Sequence, residues 1–161
     1  MVLSVKDFQL NQPRSVYLDT SVIGAYYDNR DPRRRELTRE FWSRLSELSP
    51  HVSTLVLDEL GAVGRRTLRD RLIDMVSSFA VLPVTQQASD LARKYIEAGV
   101  VVETFYSDAL HLAIASANGM DYLVSWNFRH IVNVRTRTLV STVNVNNGFR
   151  ALEIVAPPEL R

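Results

Sequence analysis

Apolar residues along this chain fall into short runs whose period switches between two values. Val16, Tyr17 and Leu18 form an uninterrupted run that ends at Asp19 and is followed at once by Thr20 and Ser21. A short run of β-formers closed by turn or capping residues reads as a buried strand. The same signature recurs at His51–Ser53, at Phe79–Leu82 before Pro83, at Tyr122–Ser125, and at Leu152–Val155 before Pro157 and Pro158. Between these runs the period lengthens. Leu37, Phe41, Leu45 and Leu48 recur at intervals of four, four and three, which predicts one amphipathic helix over 32–48 with Pro32 in its first turn and its end near Ser49 and Pro50.

Further helices follow from the same pattern. One or two turns are expected over Val22–Tyr27, broken by the segment Asp28 to Pro32. Ser53 or Thr54 caps a helix that carries Leu55, Val56, Leu57, Asp58, Glu59 and Leu60 and stops around Gly61 or Gly64. Leu68, Leu72, Ile73 and Val76 mark a helix over Thr67–Ser77, and Thr85 caps another whose apolar positions run from Ala88 to Ile96 before Gly99. Ser107 caps Asp108–Asn118, which Gly119 closes. Thr138–Phe149 is a helix of low propensity, rich in β-branched residues and asparagine. Val100–Val102 fits either a short strand or an apolar loop, and residues 1–14 form a polar lead-in up to Pro13. Strands alternating with helices predict a three-layer α/β/α sandwich with a mainly parallel central sheet, a single domain over 1–161 with its core at about 15–156.

Composition narrows the chemistry. With 161 residues, 46% hydrophobic and 23% charged, the chain has the make-up of one globular domain rather than a disordered one. It contains no cysteine, so disulfides, thiolate metal sites and thiol catalysis are excluded. No apolar run approaches the roughly 20 residues of a membrane span, and the amino terminus lacks a basic segment followed by an apolar one, so a cytoplasmic protein is the expectation. Lys plus Arg total 19 against 18 for Asp plus Glu, so global charge indicates no polyanionic partner. Locally, Arg33–Arg35 and the stretch from Arg65 to Arg71 are basic, as either solvated helix faces or a nucleic-acid surface.

Three acids stand in unusual settings. Asp19 ends the first strand, where parallel strands line a ligand crevice, yet it can equally cap the helix that follows. Glu59 lies on a half-apolar helix, where an exposed acid is the simpler reading and Asp58 competes for any role. Asp108 begins the almost wholly apolar run Ala109–Ala115, as a first-turn acid or a site residue. Carboxylates packed together repel, and a divalent cation between them makes the cluster tolerable. Mg²⁺ and Mn²⁺ prefer oxygen ligands and keep several waters, and such an ion can activate a water for attack on a phosphodiester. Zinc suits the chain less well, because His51, His111 and His130 lack the close pairing of common zinc motifs.

Four segments, in order, resemble the PIN domain, the metal-dependent ribonuclease fold of VapC-type toxins. They are Val16–Ser21, Ser53–Leu60, Ser107–Ala115 and Asp121–Ile131; the closing stretch from Ile154 to Leu160 resembles the tail of one subgroup. The resemblance implies that Asp19, Glu59 and Asp108 are the metal-binding acids, with Thr20 or Ser21 supporting the first acid or a substrate phosphate. It departs at the fourth position, where many members carry an acid and this chain offers Ser125, Asn127 and His130. Three carboxylates favour one Mg²⁺ or Mn²⁺, with a second arriving with substrate. Asn127 is a candidate neutral oxygen ligand or a turn residue. His111, one turn past Asp108, is either a partner of an acid or a core histidine. Trp126 and Phe128 either stack on an unpaired base or pack the turn.

The function implied is an endoribonuclease acting on RNA phosphodiesters through a metal-activated water, the toxin of a type II toxin–antitoxin pair. The resemblance also implies a cognate antitoxin and a homodimer. The alternative is an RNA- or protein-binding module with a degenerate site. A phosphate-accepting Asp19, as in haloacid-dehalogenase-type phosphatases, is disfavoured because position 21 is Ser rather than a second acid.

Overall fold

A computed structural model describes residues 12–160, so residues 1–11 of the lead-in expected over 1–14 lie outside the described residues. Five strands form one sheet: β1 (Ser15–Leu18), β2 (Ser49–Ser53), β3 (Ala80–Leu82), β4 (Tyr122–Val124) and β5 (Glu153–Val155). Their order is β3-β2-β1-β4-β5 and every pairing is parallel, so the sheet is wholly rather than mainly parallel. Among the described residues seven α-helices cover it: α1 (Thr20–Ala25), α2 (Pro32–Ser43), α3 (Thr54–Gly61), α4 (Arg66–Val76), α5 (Gln86–Glu97), α6 (Tyr106–Ala117) and α7 (Val134–Asn146). The result is the expected three-layer α/β/α architecture. Strands buried on both faces explain the unbroken apolar runs: Val16, Tyr17, Leu18, Leu123 and Val124 are fully buried.

β1 is the centre of the sheet, with β2 on one side and β4 on the other. Chain order therefore reverses beside it, and the carboxyl end of β1 faces the crevice at this switch point. The ladder continues one residue further on each side, with the Asp19 amide donating to the Val124 carbonyl (3.2 Å) and the Ser125 amide to that of Val155 (3.0 Å). Asp19 and Ser125 are thereby set side by side at the sheet edge.

Several boundaries differ from expectation. The helix starting at Pro32 stops at Ser43, a single 3₁₀ turn covers Leu45–Glu47, and Ser49 and Pro50 belong to β2 rather than to a helix end. The Ser49 amide bonds the Arg14 carbonyl (2.9 Å), and Pro50 sits opposite Val16. Val100–Val102 is loop, with its first two valines buried and Val102 exposed. α7 begins at Val134, four residues before the expected start, because Asn133 caps it by accepting from the Thr136 amide at 2.8 Å. Ser53 and Thr85 act as caps as expected. Ser107 does not: α6 starts at Tyr106, so Ser107 lies inside its first turn. Gly99 and Gly119 adopt φ of 75° and 63° just past α5 and α6, the left-handed conformation that closes a helix.

Candidate active site

The site grows from the end of β1. Residues 17 and 19 lie two apart on an extended segment and project to the same side. Asp19 caps α1 and also bonds across the sheet edge. It is the N-cap of α1, accepting from the Ser21 amide (3.1 Å) and hydroxyl (2.5 Å) through Oδ1, and its Oδ2 accepts from the Ser125 hydroxyl at 2.7 Å. Only 4% of it is exposed. Burial raises its pKa above the usual carboxylate value, against the opposing charge of His111 and the hydrogen bonds from Ser21 and Ser125.

Glu59 comes from the middle of α3. It is half-buried, whereas Asp58 is exposed. Its Oε2 accepts from Thr20 Oγ1 at 2.5 Å, and its Oε1 from Ser107 Oγ at 2.8 Å. His111 Nε2 stands 3.1 Å from the same Oε1. Burial alone would raise the Glu59 pKa, but the bonds from His111, Thr20 and Ser107 and the charge of His111 outweigh it and bring it down to about 2.

His111 is no free ligand. Its Nδ1 lies 2.7 Å from the Tyr17 hydroxyl, which lies 2.8 Å from Ser53 Oγ, and Ser53 Oγ accepts from the Val56 amide at 3.2 Å. One order of donors satisfies every atom in this chain of bonds. Ser53 donates to Tyr17, Tyr17 to Nδ1, and Nε2–H to Glu59. The chain joins the β2–α3 junction to the site acid through β1 and α6. Tyr17 and Ser107 are site residues that the sequence reading missed. Tyr17 could have been found from the period of two that aligns it with Asp19, and Ser107 from its spacing of four before His111 on one helix.

Asp108, in the first turn of α6, is held by the turn after β4. Asn127 Nδ2 donates to its Oδ1 (3.2 Å), and His130 Nδ1 lies 2.7 Å from its Oδ2. Asn127 also accepts from the His130 amide at 3.0 Å and donates its own amide to Ser125 Oγ at 2.9 Å. A continuous path therefore links Asp19, Ser125, Asn127 and Asp108, while Thr20, Glu59 and Ser107 close the other side. Trp126 is pinned in the core, its indole donating to Thr38 Oγ1 (2.9 Å), and Phe128 is 55% exposed. The Phe105 ring lies on His130 with centroids 4.0 Å apart.

The donor chemistry suits a hard divalent cation. The acids offer only oxygens, Asp19 is buried without a cationic hydrogen-bond partner, and the described ion pairs of Glu59 and Asp108 are with histidines rather than with Arg or Lys. Spacing is more open: among the described residues no three acidic or histidine side chains stand close enough together to hold one ion, each acid being turned to its own hydrogen-bond partners.

A PIN domain family model matches residues 16–131. The chain belongs to the PIN domain family. That is a family of nucleases, which generally use divalent metals. VapC20 of Mycobacterium tuberculosis, described as a Sarcin-Ricin loop cleaving toxin, is 18% identical; the match covers 71% of this chain and 92% of VapC20, with a TM-score of 0.56. VapBC2 from Rickettsia felis, solved with a DNA fragment from its promoter, is 15% identical over 88% of this chain and 98% of its own, with a TM-score of 0.54. At these identities the likeness is one of fold. No curated protein matches the chain. Among the described residues, no helix is long and apolar enough to cross a membrane.

The depressed Glu59 pKa makes a stability prediction for this PIN domain. A carboxylate held low in the folded state contributes stability above its unfolded value of 4.5, and that contribution is lost as the pH falls towards about 2. Glu59→Gln removes the titration. Denaturant unfolding of the two proteins across this range should give a shallower acid limb for the variant, and parallel limbs would contradict the assignment.

Proposed function

We propose that this PIN domain is a Mg²⁺- or Mn²⁺-dependent endoribonuclease, the toxin of a type II toxin–antitoxin pair working in the cytoplasm. The observation that carries the reading is that three carboxylates are tied by hydrogen bonds to the residues around the carboxyl end of β1, with Asp19 buried between hydroxyls and, among the described residues, no arginine or lysine bound to any of the three. Asp19, Glu59 and Asp108 would hold the ion; Asn127, expected as a neutral oxygen ligand, instead turns its nitrogen to Asp108 while its oxygen accepts from the His130 amide. When bound there, a divalent ion supplies Lewis-acid polarisation of a phosphate oxygen and a water of lowered pKa. The chain's own residues do the positioning. Ser21 and Ser125 fix the Asp19 carboxylate, Thr20 and Ser107 fix that of Glu59, and His111 keeps Glu59 ionised. His130 and Asn127 set the orientation of Asp108. With three acids, one resident ion is favoured and a second enters with the RNA phosphate. A cognate antitoxin and a homodimer belong to the same reading.

Calorimetric titration with Mn²⁺ and cleavage of single-stranded RNA test it together. Binding near one equivalent, cleavage with millimolar Mn²⁺ and its loss in EDTA are the expected results. Full cleavage in EDTA would refute the metal requirement. A second reading, a PIN-fold binding module with a weak or degenerate site, is favoured by Asn127 and His130, which stand where many relatives carry an acid. No Mn²⁺ heat and no cleavage would select it.

A further inference from the structure

Beside the acidic site runs a groove that the reaction as described does not use. It holds about 650 Å³, within the range of a ligand-binding cleft. Its lining includes Ser21, whose hydroxyl donates to Asp19, so the groove adjoins the first of the acids. Ala25, Val63, Leu68 and Leu72 give it an apolar floor from α1, α4 and the turn after α3. Its charged lining is Asp28 with Arg30, Arg34 and Arg65, one acid against three arginines. Asp28 is already engaged, by Arg30 at 2.9 Å and by Arg34 at 3.2 Å. Arg65 makes no described side-chain hydrogen bond or ion pair; as the residue before α4 it caps nothing. It also lines a second depression of about 330 Å³ with Arg39, Thr67 and Arg71, and the Arg71 guanidinium sits 5.8 Å from the Tyr27 ring centroid.

We propose that this groove, continued through the depression that shares Arg65 with it, is the track of a single-stranded RNA flanking the scissile phosphate, with Arg65 and, in the depression, Arg71 binding its backbone phosphates. The proposal rests on the ribonuclease reading above and assigns the strand a side. Charge decides the occupant. The acids beside the groove repel phosphate unless a cation is present, whereas its arginines attract it, so the strand is drawn to the arginines and crosses the acids only with metal bound. An apolar floor under guanidinium groups suits unpaired nucleotides, whose base faces are apolar and whose backbone is anionic. Gly24 keeps one wall low: a Cβ there would meet nothing within 4 Å, and a side chain would project into open space.

The test measures binding of a labelled single-stranded oligoribonucleotide of about 12 nucleotides in EDTA, as a function of salt. Arg65→Ala combined with Arg71→Ala should weaken binding roughly tenfold and lower the salt slope by about 1.4, at about 0.7 per lost phosphate contact. The exposed pair Arg33→Ala with Arg66→Ala, which removes the same charge away from the groove, should change neither quantity. Gly24→Leu, which obstructs the groove without touching an arginine, should weaken binding with the slope largely kept. In Mn²⁺ the arginine variant should raise KM and leave kcat near that of the parent.

A double variant that matches the control pair, in a protein that binds and cleaves RNA, overturns the track and leaves the ribonuclease reading standing. The reverse outcome, arginine-dependent RNA binding without Mn²⁺-dependent cleavage, keeps the groove as an RNA site and refutes the nuclease reading and, with it, any scissile phosphate beside the strand. If the groove takes an acidic peptide and no RNA, the occupant is protein and the proposal is overturned.

Discussion

Asp19→Asn should lower metal-dependent RNA cleavage by roughly 10³-fold, about 4 kcal/mol at 1.36 kcal/mol per decade, and leave the fold intact. The asymmetry follows from where the carboxylate sits. It is 4% exposed and held by hydroxyls and an amide, so ionising it in the folded state is opposed by burial. A raised folded pKa means that the metal-free protein loses stability as the pH rises through the ordinary carboxylate range towards the folded value. The neutral, isosteric amide escapes that penalty. The variant's thermal midpoint in EDTA near neutral pH should therefore equal or exceed the parent's, while its Mn²⁺ binding collapses. Calorimetry and a cleavage assay on the same preparation read both. Retained cleavage would remove Asp19 from the reaction, and a large drop in midpoint would assign it a structural role instead.

Tyr17→Phe should be the more damaging change to the scaffold. The missing hydroxyl bridges Ser53 and His111, and both it and the His111 ring are almost fully buried. Removing it leaves Nδ1 of His111 without a partner in the core, at a cost of about 1–3 kcal/mol. For a domain of this size that lowers the midpoint by roughly 2–4 °C per kcal/mol. The site is affected too. Without Tyr17, nothing described fixes the tautomer that presents Nε2–H to Glu59. Loss of a partner that orients a metal ligand typically costs 10–100-fold in metal affinity. Thermal unfolding and Mn²⁺ titration of Tyr17→Phe, His111→Gln and the double variant would measure the coupling. Additive effects would show that the two side chains act separately.

The parts of this PIN domain that could be read from the chain are those carried by local pattern. Five short runs became five strands, and in β1 and β4, covered on both faces, burial demands the consecutive apolar residues that made them legible. Thr85 and Ser53 could be recognised as caps because the cap bond spans three residues. Boundaries failed where a tertiary contact outweighed propensity. Pro50 joined β2 because parallel pairing places it beside Val16, and α7 began early because Asn133 caps it. The wholly parallel order β3-β2-β1-β4-β5 was not legible, since no residue's identity states which strand lies beside it.

The candidate site divides along the same line. Asp19, Glu59 and Asp108 stood out as acids in apolar settings, and the order of four motifs tied them to the PIN family. What joins them was decided only in three dimensions. Glu59 rather than Asp58 faces the site because α3 turns its 59 side inward. Ser107 serves Glu59 because α6 starts one residue before it rather than one after. His130 and Asn127 hold Asp108 because the turn after β4 folds back over the start of α6. By itself the sequence determined the strands, most of the caps and which acids were available, because periodicity and capping are local properties. The tertiary structure alone decided their partners, since a hydrogen bond between residues 17 and 111, or 59 and 107, depends on a packing that no short window of sequence contains.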